Sequence, residues 1–502
     1  MTGEAALGLV MLAVLIGVIF VGFPISFTML FLAFVFGYIG IGHTVFDLAY
    51  FQTIGLMKEE LLAAVPLFVL MGFITEQAGL MERLFRAFRD LLAPIRGSLF
   101  AVVILTATIF AMATGIVGAA VTVLGIMASP IMVKTGYDGK LAAGAITAGG
   151  TLGILIPPSV MLIVMGPVLG VSVADLYASA FGPGFLLAGI YLVYLLGRSF
   201  INPNLGPPVP VEDRIHSGPV IVKEVLVGVV PLVCLIAAAL GSILAGLATP
   251  TEASAIGALG ALLLAAAYGK LSWAGLKRAV LSTTATSSMV LFLAVTSNIF
   301  GAVFARLGTA NWITESMLAF QLPPVMMLVV VLVLIFLLGW PFEWPAIILV
   351  FLPIFYPVMD AIKADLGQAM GIPAEMVMIW FGALVAVTLQ TAFLSPPVAM
   401  SAYYLKQVVK DWSLATIYKG MFEFMVLQVL AIALIVMFPA IATSFPEALQ
   451  AEARAVKTEE VDDSMNRLEE DPTGGARTED AEEEGEEKGG DELEEDDLKA
   501  TK

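Results

Sequence analysis

Charge, cysteine and histidine are scarce in this chain. Only 13% of its 502 residues are charged, 59% are hydrophobic, and the mean hydropathy is +0.95. A soluble domain carries about a quarter charged residues and about half apolar ones, so a water-soluble globular chain is excluded. Cys234 is the only cysteine, which leaves no internal disulfide, no thiolate zinc site and no Cys-x-x-Cys redox pair. His43 and His216 stand far apart, outside any metal-ligand spacing, and read as loop residues. Gly-x-Ser-x-Gly, His-Glu-x-x-His and a phosphate-cradling glycine loop ending in Lys-Ser/Thr are all missing. The sequence therefore argues against an enzyme.

The formal charge of −17 belongs almost wholly to one end. Residues 447–502 hold 22 acidic and 7 basic side chains, whereas residues 1–446 hold 20 and 18. The body is near neutral and offers no basic surface to nucleic acid. Residues 447–502, with no aromatic, cannot bury a core and read as a disordered, solvated acidic tail.

What is abundant is apolar sequence. A span needs about 20 apolar residues, and ten candidates run over 5–22, 24–42, 62–80, 139–170, 182–200, 220–240, 246–268, 279–304, 376–405 and 420–441. The first starts almost at Met1 without a basic flank and reads as a retained span. Two further stretches, 98–134 and 323–359, are too long for one span and carry breakers: Thr114-Gly115-Ile116-Val117-Gly118 and Gly339-Trp340-Pro341. If each is a re-entrant hairpin and the N-terminus lies outside, 15 bases face the cytoplasm (Arg83, Arg86, Lys140, Arg214 and Lys277 among them). Only Lys58, Arg306 and Lys363 then lie outside, a strong positive-inside bias. The expected fold class is an all-α polytopic membrane protein of about ten transmembrane helices plus two re-entrant hairpins in an inverted repeat. Its halves are 1–215, with hairpin 98–134 and broken helix 139–170, and 216–446, with hairpin 323–359 and broken helix 376–405.

Each broken helix contains Pro-Pro: Thr151-Leu-Gly-Ile-Leu-Ile-Pro-Pro158 and Gln390-Thr-Ala-Phe-Leu-Ser-Pro-Pro397. Two prolines in a row remove backbone donors and clash with the preceding turn. One such break is as readily a simple kink, but recurrence after both hairpins points to a site at the membrane midplane. Unwound carbonyls and helix C-termini suit Na+, and helix N-termini suit a carboxylate. The hydroxyls of Thr114, Thr151, Ser159, Thr388, Thr391 and Ser395 cluster at the breaks. Most membrane hydroxyls bond back to their own helix, less often at a broken turn. Among intramembrane acids, Glu252 is explained by a capping box, Thr249-Pro-Thr-Glu252. Glu423 pairs with Lys419 one turn away. Glu343, just past Gly339, has no such explanation and is a site candidate.

These residues resemble the large membrane subunit of the tripartite ATP-independent periplasmic (TRAP) transporters over residues 5–442. The matches are Ala64-Val-Pro-Leu-Phe-Val-Leu-Met-Gly72, Thr114-Gly-Ile-Val-Gly-Ala-Ala120, Gly136-Tyr-Asp138, Gly153-Ile-Leu-Ile-Pro-Pro-Ser159, Ala248-Thr-Pro-Thr-Glu-Ala253 and Leu389-Gln-Thr-Ala-Phe-Leu-Ser-Pro-Pro397. The wording around Gly115 and Gln390 is most similar to the branch labelled for mannitol/chloroaromatic or 2-oxo acid uptake. The resemblance implies an elevator-type importer of organic acids in the bacterial inner membrane, with Na+ as coupling ion and no other cofactor. It implies two partners, a small four-helix membrane subunit and a periplasmic solute-binding protein, besides the small organic acid substrate and membrane lipid. It places one Na+ at Gly115, Gly118, Gly153, Ile156 and Pro158, and a second at Gly339, Thr391, Ala392, Ser395 and Pro397. Thr114, Thr151, Ser159, Glu343 and Thr388 are left as substrate candidates. Two departures stand out: Val117-Gly118-Ala119 replaces a Ser-Gly-Ser tip, and Glu343 replaces Asp. The rival reading is a stand-alone ion-coupled anion transporter of the same architecture that needs no binding protein.

Overall fold

The computed structural model describes residues 3–210, 218–396, 399–452 and 454, and the regular structure among them is helical throughout. The chain begins with α1 (Gly3–Val21), α2 (Ile25–Ile41), α3 (Thr44–Met57), α4 (Ala64–Gln77) and α5 (Leu80–Leu92). The first hairpin is α6 (Ser98–Thr114) and α7 (Val117–Lys134); Gly115 and Ile116 alone separate them. So short a connection makes the two helices antiparallel neighbours, and they pack on each other. The first broken helix is α8 (Gly139–Thr151), a short tight turn at Leu152–Ile154, and α9 (Val160–Leu169). Then follow α10 (Val173–Ile201), α11 (Gly218–Leu244), α12 (Pro250–Ala267), α13 (Trp273–Arg306) and α14 (Thr309–Ala319).

The second half repeats the device. The hairpin arms are α15 (Pro324–Leu338) and α16 (Trp344–Met370), and α16 carries a π turn at Ile347–Phe351 just before Pro353 and Pro357. The broken helix is α17 (Ala374–Leu394) and α18 (Met400–Val408), and α19 (Leu414–Met437) follows. Residues 440–452 are also helical. Apart from residue 454, the rest of the acidic tail lies outside the described residues, as do Arg214, His216 and Pro397.

Among the described residues ten helices are long and apolar enough to cross a bilayer. Eight coincide with the spans expected from sequence. The other two are α7 and Trp344–Met370, the second hairpin arms, whereas 24–42 forms the 17-residue α2 and 139–170 is divided between α8 and α9. Length alone thus does not separate a crossing helix from a hairpin arm. Three elements have no counterpart among the expected runs: α3, α5 and α14. In α5 the bases Arg83, Arg86 and Arg89, read as loop charges, lie on an amphipathic helix whose Leu80, Leu84 and Phe85 are buried. Its alternating polarity keeps it out of any search for continuous apolar sequence.

Helices α2, α4, α12 and α13 pack together on one side, and α7, α8, α10 and α17–α19 on the other. The second group is drawn tight by small residues. In α8 every residue from Leu141 to Thr151 is buried. A Cβ on Gly144 would stand 2.6 Å from the Phe424 ring and 2.9 Å from the Gly420 carbonyl, so α8 and α19 touch backbone to backbone, as small residues allow. The motif Gly136-Tyr-Asp138 fastens the start of α8. Asp138 accepts the Leu141 N–H at 2.8 Å as N-cap, and the Tyr137 hydroxyl accepts the Leu99 N–H at 3.1 Å. At that end Glu423 does not pair with Lys419. It binds Lys140 and accepts the Tyr194 hydroxyl at 2.6 Å, with Arg198 3.9 Å away. The close α8–α19 crossing brings Lys140 to it.

Candidate functional site

Both breaks and both hairpin tips meet at one cavity of about 250 Å³. Gly115–Gly118 of the first tip and Phe342–Trp344 of the second line it, with Ile154 and Val160 from the first broken helix and Ala392, Phe393, Met400 and Tyr404 from the second. The opposite wall is α4 and α13, through Val69, Thr286, Met289 and Val290. The cavity therefore lies between the two helical groups.

At the first tip Gly115 has φ +59°, the left-handed region that glycine enters without steric cost. A Cβ there would lie 3.6 Å from the Pro158 carbonyl oxygen and 3.9 Å from that of Gly153. Three of the five residues assigned to the first ion position, Gly115, Gly153 and Pro158, are thus brought together, with two oxygens facing the tip. Converging backbone carbonyls are ligands for a hard cation. Gly118 stands apart: it faces the Tyr404 ring, 3.0 Å from where its Cβ would be. The Ile156 side chain is buried against Gly184 of α10.

The second tip is built differently. Gly339 is right-handed helical, φ −63°, and ends α15. A Cβ on it would stand 3.0 Å from the Cβ of Ala392. Gly339 and Ala392 are in contact, through carbon.

The hydroxyls bond mostly to helix carbonyls nearby. Thr151 donates to Ala148 O at 2.8 Å, Thr388 to Leu384 O at 2.8 Å, Thr391 to Thr388 O at 2.6 Å and Ser395 to Thr391 O at 2.7 Å. Ser159 donates to Ile154 O and accepts nothing from its own helix, although it occupies the N-cap of α9. None of these hydroxyl residues lines the cavity, and the Thr114 side chain lies outside the description. Of the four substrate candidates whose side chains are described, Glu343 alone reaches the wall. Among the described residues its carboxylate has no hydrogen-bond or ion-pair partner.

The sequence pointed to helix amino ends as partners for a carboxylate, but not to which of them reach the cavity. The first residues of α7 (Val117, Gly118), α9 (Val160) and α18 (Met400) line the cavity. Their N-cap residues Ile116, Ser159 and Ala399 supply no side-chain cap. Each amino end keeps unsatisfied N–H groups and a partial positive charge. Among the described lining residues there is no Lys, Arg or His. Three uncapped amino ends thus offer this one cavity partial positive charge from backbone alone. Tyr404 and Thr286 also escaped the sequence reading. The density of hydroxyls in Ser282–Ser288 is the only signal for Thr286.

Long apolar helices and two broken helices meeting at one cavity are the architecture of a multi-pass membrane transporter. The family follows. Residues 10–441 match the model for "Tripartite ATP-independent periplasmic transporter, DctM component", and the chain belongs to that family. It is similar to a sialic acid TRAP transporter large permease protein, SiaM, of Vibrio cholerae, at 28% identity over 86% of this chain and 96% of the relative. A C4-dicarboxylate TRAP transporter large permease protein, DctM, of Pseudomonas aeruginosa is 29% identical over 77% of this chain and 86% of the relative. The crystal structure of the Alcanivorax borkumensis YdaH transporter covers 81% of this chain and 90% of its own with a TM-score of 0.57 at 16% identity, a likeness of fold. The chain is a multi-pass protein of the bacterial inner membrane and a transporter permease, not an enzyme.

Proposed function

We propose that this chain imports an organic acid, coupled to Na+, receiving it from an extracytoplasmic solute-binding protein and working beside a small four-helix membrane subunit. The observation that carries the reading is the cavity where three uncapped helix amino ends and the carbonyls of Gly153 and Pro158 come together. The amino ends take the carboxylate, and the carbonyls facing Gly115 take Na+. The second position, at Gly339 and Ala392, is packed through carbon and needs Thr391, Ser395 and the backbone at Pro397 to supply oxygen. The hairpins 98–134 and 323–359 carry the tips, and the group holding α7, α8 and α17–α19 moves as an elevator against α4 and α13. Relatives named for sialic acid and C4-dicarboxylates support an organic acid as cargo.

The test is uptake into proteoliposomes with and without Na+, a proton gradient and the cognate binding protein. Na+-dependent uptake that requires the binding protein is expected. Equal uptake driven by protons with Na+ absent contradicts the coupling, and full uptake without the binding protein favours a stand-alone transporter.

A further inference from the structure

We infer that the cargo is a monocarboxylate with an apolar body about the size of one ring; this deepens, and rests on, the anion-site reading above. The cavity walls are chiefly carbon: Ile116, Ile154, Met289, Trp344, Phe393 and Met400. Among the described lining residues polar groups on side chains are few: the hydroxyls of Thr286 and Tyr404, the Trp344 indole N–H and the Glu343 carboxylate. One carboxylate is served by the amino ends of α7, α9 and α18. A second would find no Lys, Arg or His among the described lining residues and would face Glu343, a like charge. A polyhydroxylated acid would bury more hydroxyls than these four side chains can pair, and unpaired buried hydroxyls are costly. The size fits as well: an apolar cavity of about 150 Å³ holds a benzene ring, and about 250 Å³ leaves room for a carboxylate beside it.

The experiment uses the purified full-length chain in lipid nanodiscs, first in Na+ and then with K+ in its place. The thermal unfolding midpoint is followed against concentration of 3-phenylpropionate, succinate and gluconate. In Na+, 3-phenylpropionate should half-saturate at a concentration at least about tenfold below the other two, because an apolar wall discriminates by roughly 10–200-fold per group. Phe393→Ser and Ile154→Ser should each narrow that preference by about tenfold. Succinate or gluconate binding as tightly as the ring acid, or variants that leave the ratio unchanged, would overturn the inference while an Na+-dependent shift by any acid keeps the anion site. If no acid shifts the midpoint in Na+, both fall.

Discussion

The two hairpin tips occupy matching places in the two halves and solve the same problem with different atoms. At the first, Gly115 turns left-handed and looks at two carbonyl oxygens 3.6 and 3.9 Å from its missing Cβ. At the second, Gly339 stays helical and rests on the methyl group of Ala392. The first tip is open backbone. The second is a carbon contact followed, four residues on, by the Glu343 carboxylate, which has no hydrogen-bond or ion-pair partner among the described residues. The two tips therefore present different atoms at matching places: backbone oxygen at the first, packing and a carboxylate at the second.

Substitutions at matched positions sharpen that contrast. The largest effect is expected for Gly115→Val. A side chain in the left-handed region costs about 1–2 kcal/mol, and the β-branch points at the carbonyls. Na+-dependent uptake should be lost while membrane insertion, read by protein yield after detergent extraction, is kept. The effect at the second tip should be smaller and repairable. Gly339→Ala crowds Ala392 and should slow uptake about tenfold, in line with about 1–3 kcal/mol for overpacking. Adding Ala392→Gly should restore most of the rate, a coupling that a double-mutant cycle measures. No partner substitution should rescue Gly115→Val, because its partners are backbone. The smallest effect belongs to Ser395→Ala. That hydroxyl already donates to the Thr391 carbonyl and lies 3.2 Å from the Met425 sulfur, so its loss removes neutral contacts within the helix group, about 0.5–1.5 kcal/mol. The half-saturating Na+ should move by threefold or less; a shift above tenfold would make Ser395 a direct ligand.

The breaks themselves were legible in the sequence because proline and glycine act locally. Pro157-Pro158 interrupts α8–α9, Gly115 opens the first hairpin, and the Thr249–Glu252 capping box forms as its spacing predicts. What depends on helix crossings was not legible. Lys140 reaches Glu423 across 283 positions of chain, and only the Gly144–Gly420 contact decides that it, not Lys419, is the partner. Thr286 and Tyr404 join the cavity from opposite walls, which no spacing encodes. The hydroxyls at the breaks attracted notice by type, yet type does not say whether a hydroxyl turns inward or back to its own helix. Amphipathic α5 was hidden for another reason: its charges break up the apolar run that reveals a span.

The central claim is that the first tip holds Na+ through backbone carbonyls. Equilibrium binding of ²²Na+ to the purified full-length chain, wild type beside Gly115→Val and Gly339→Ala, tests it most directly. The account predicts that Gly115→Val abolishes the high-affinity binding that Gly339→Ala retains. Unchanged ²²Na+ affinity in Gly115→Val, with the protein intact by thermal unfolding, would contradict it.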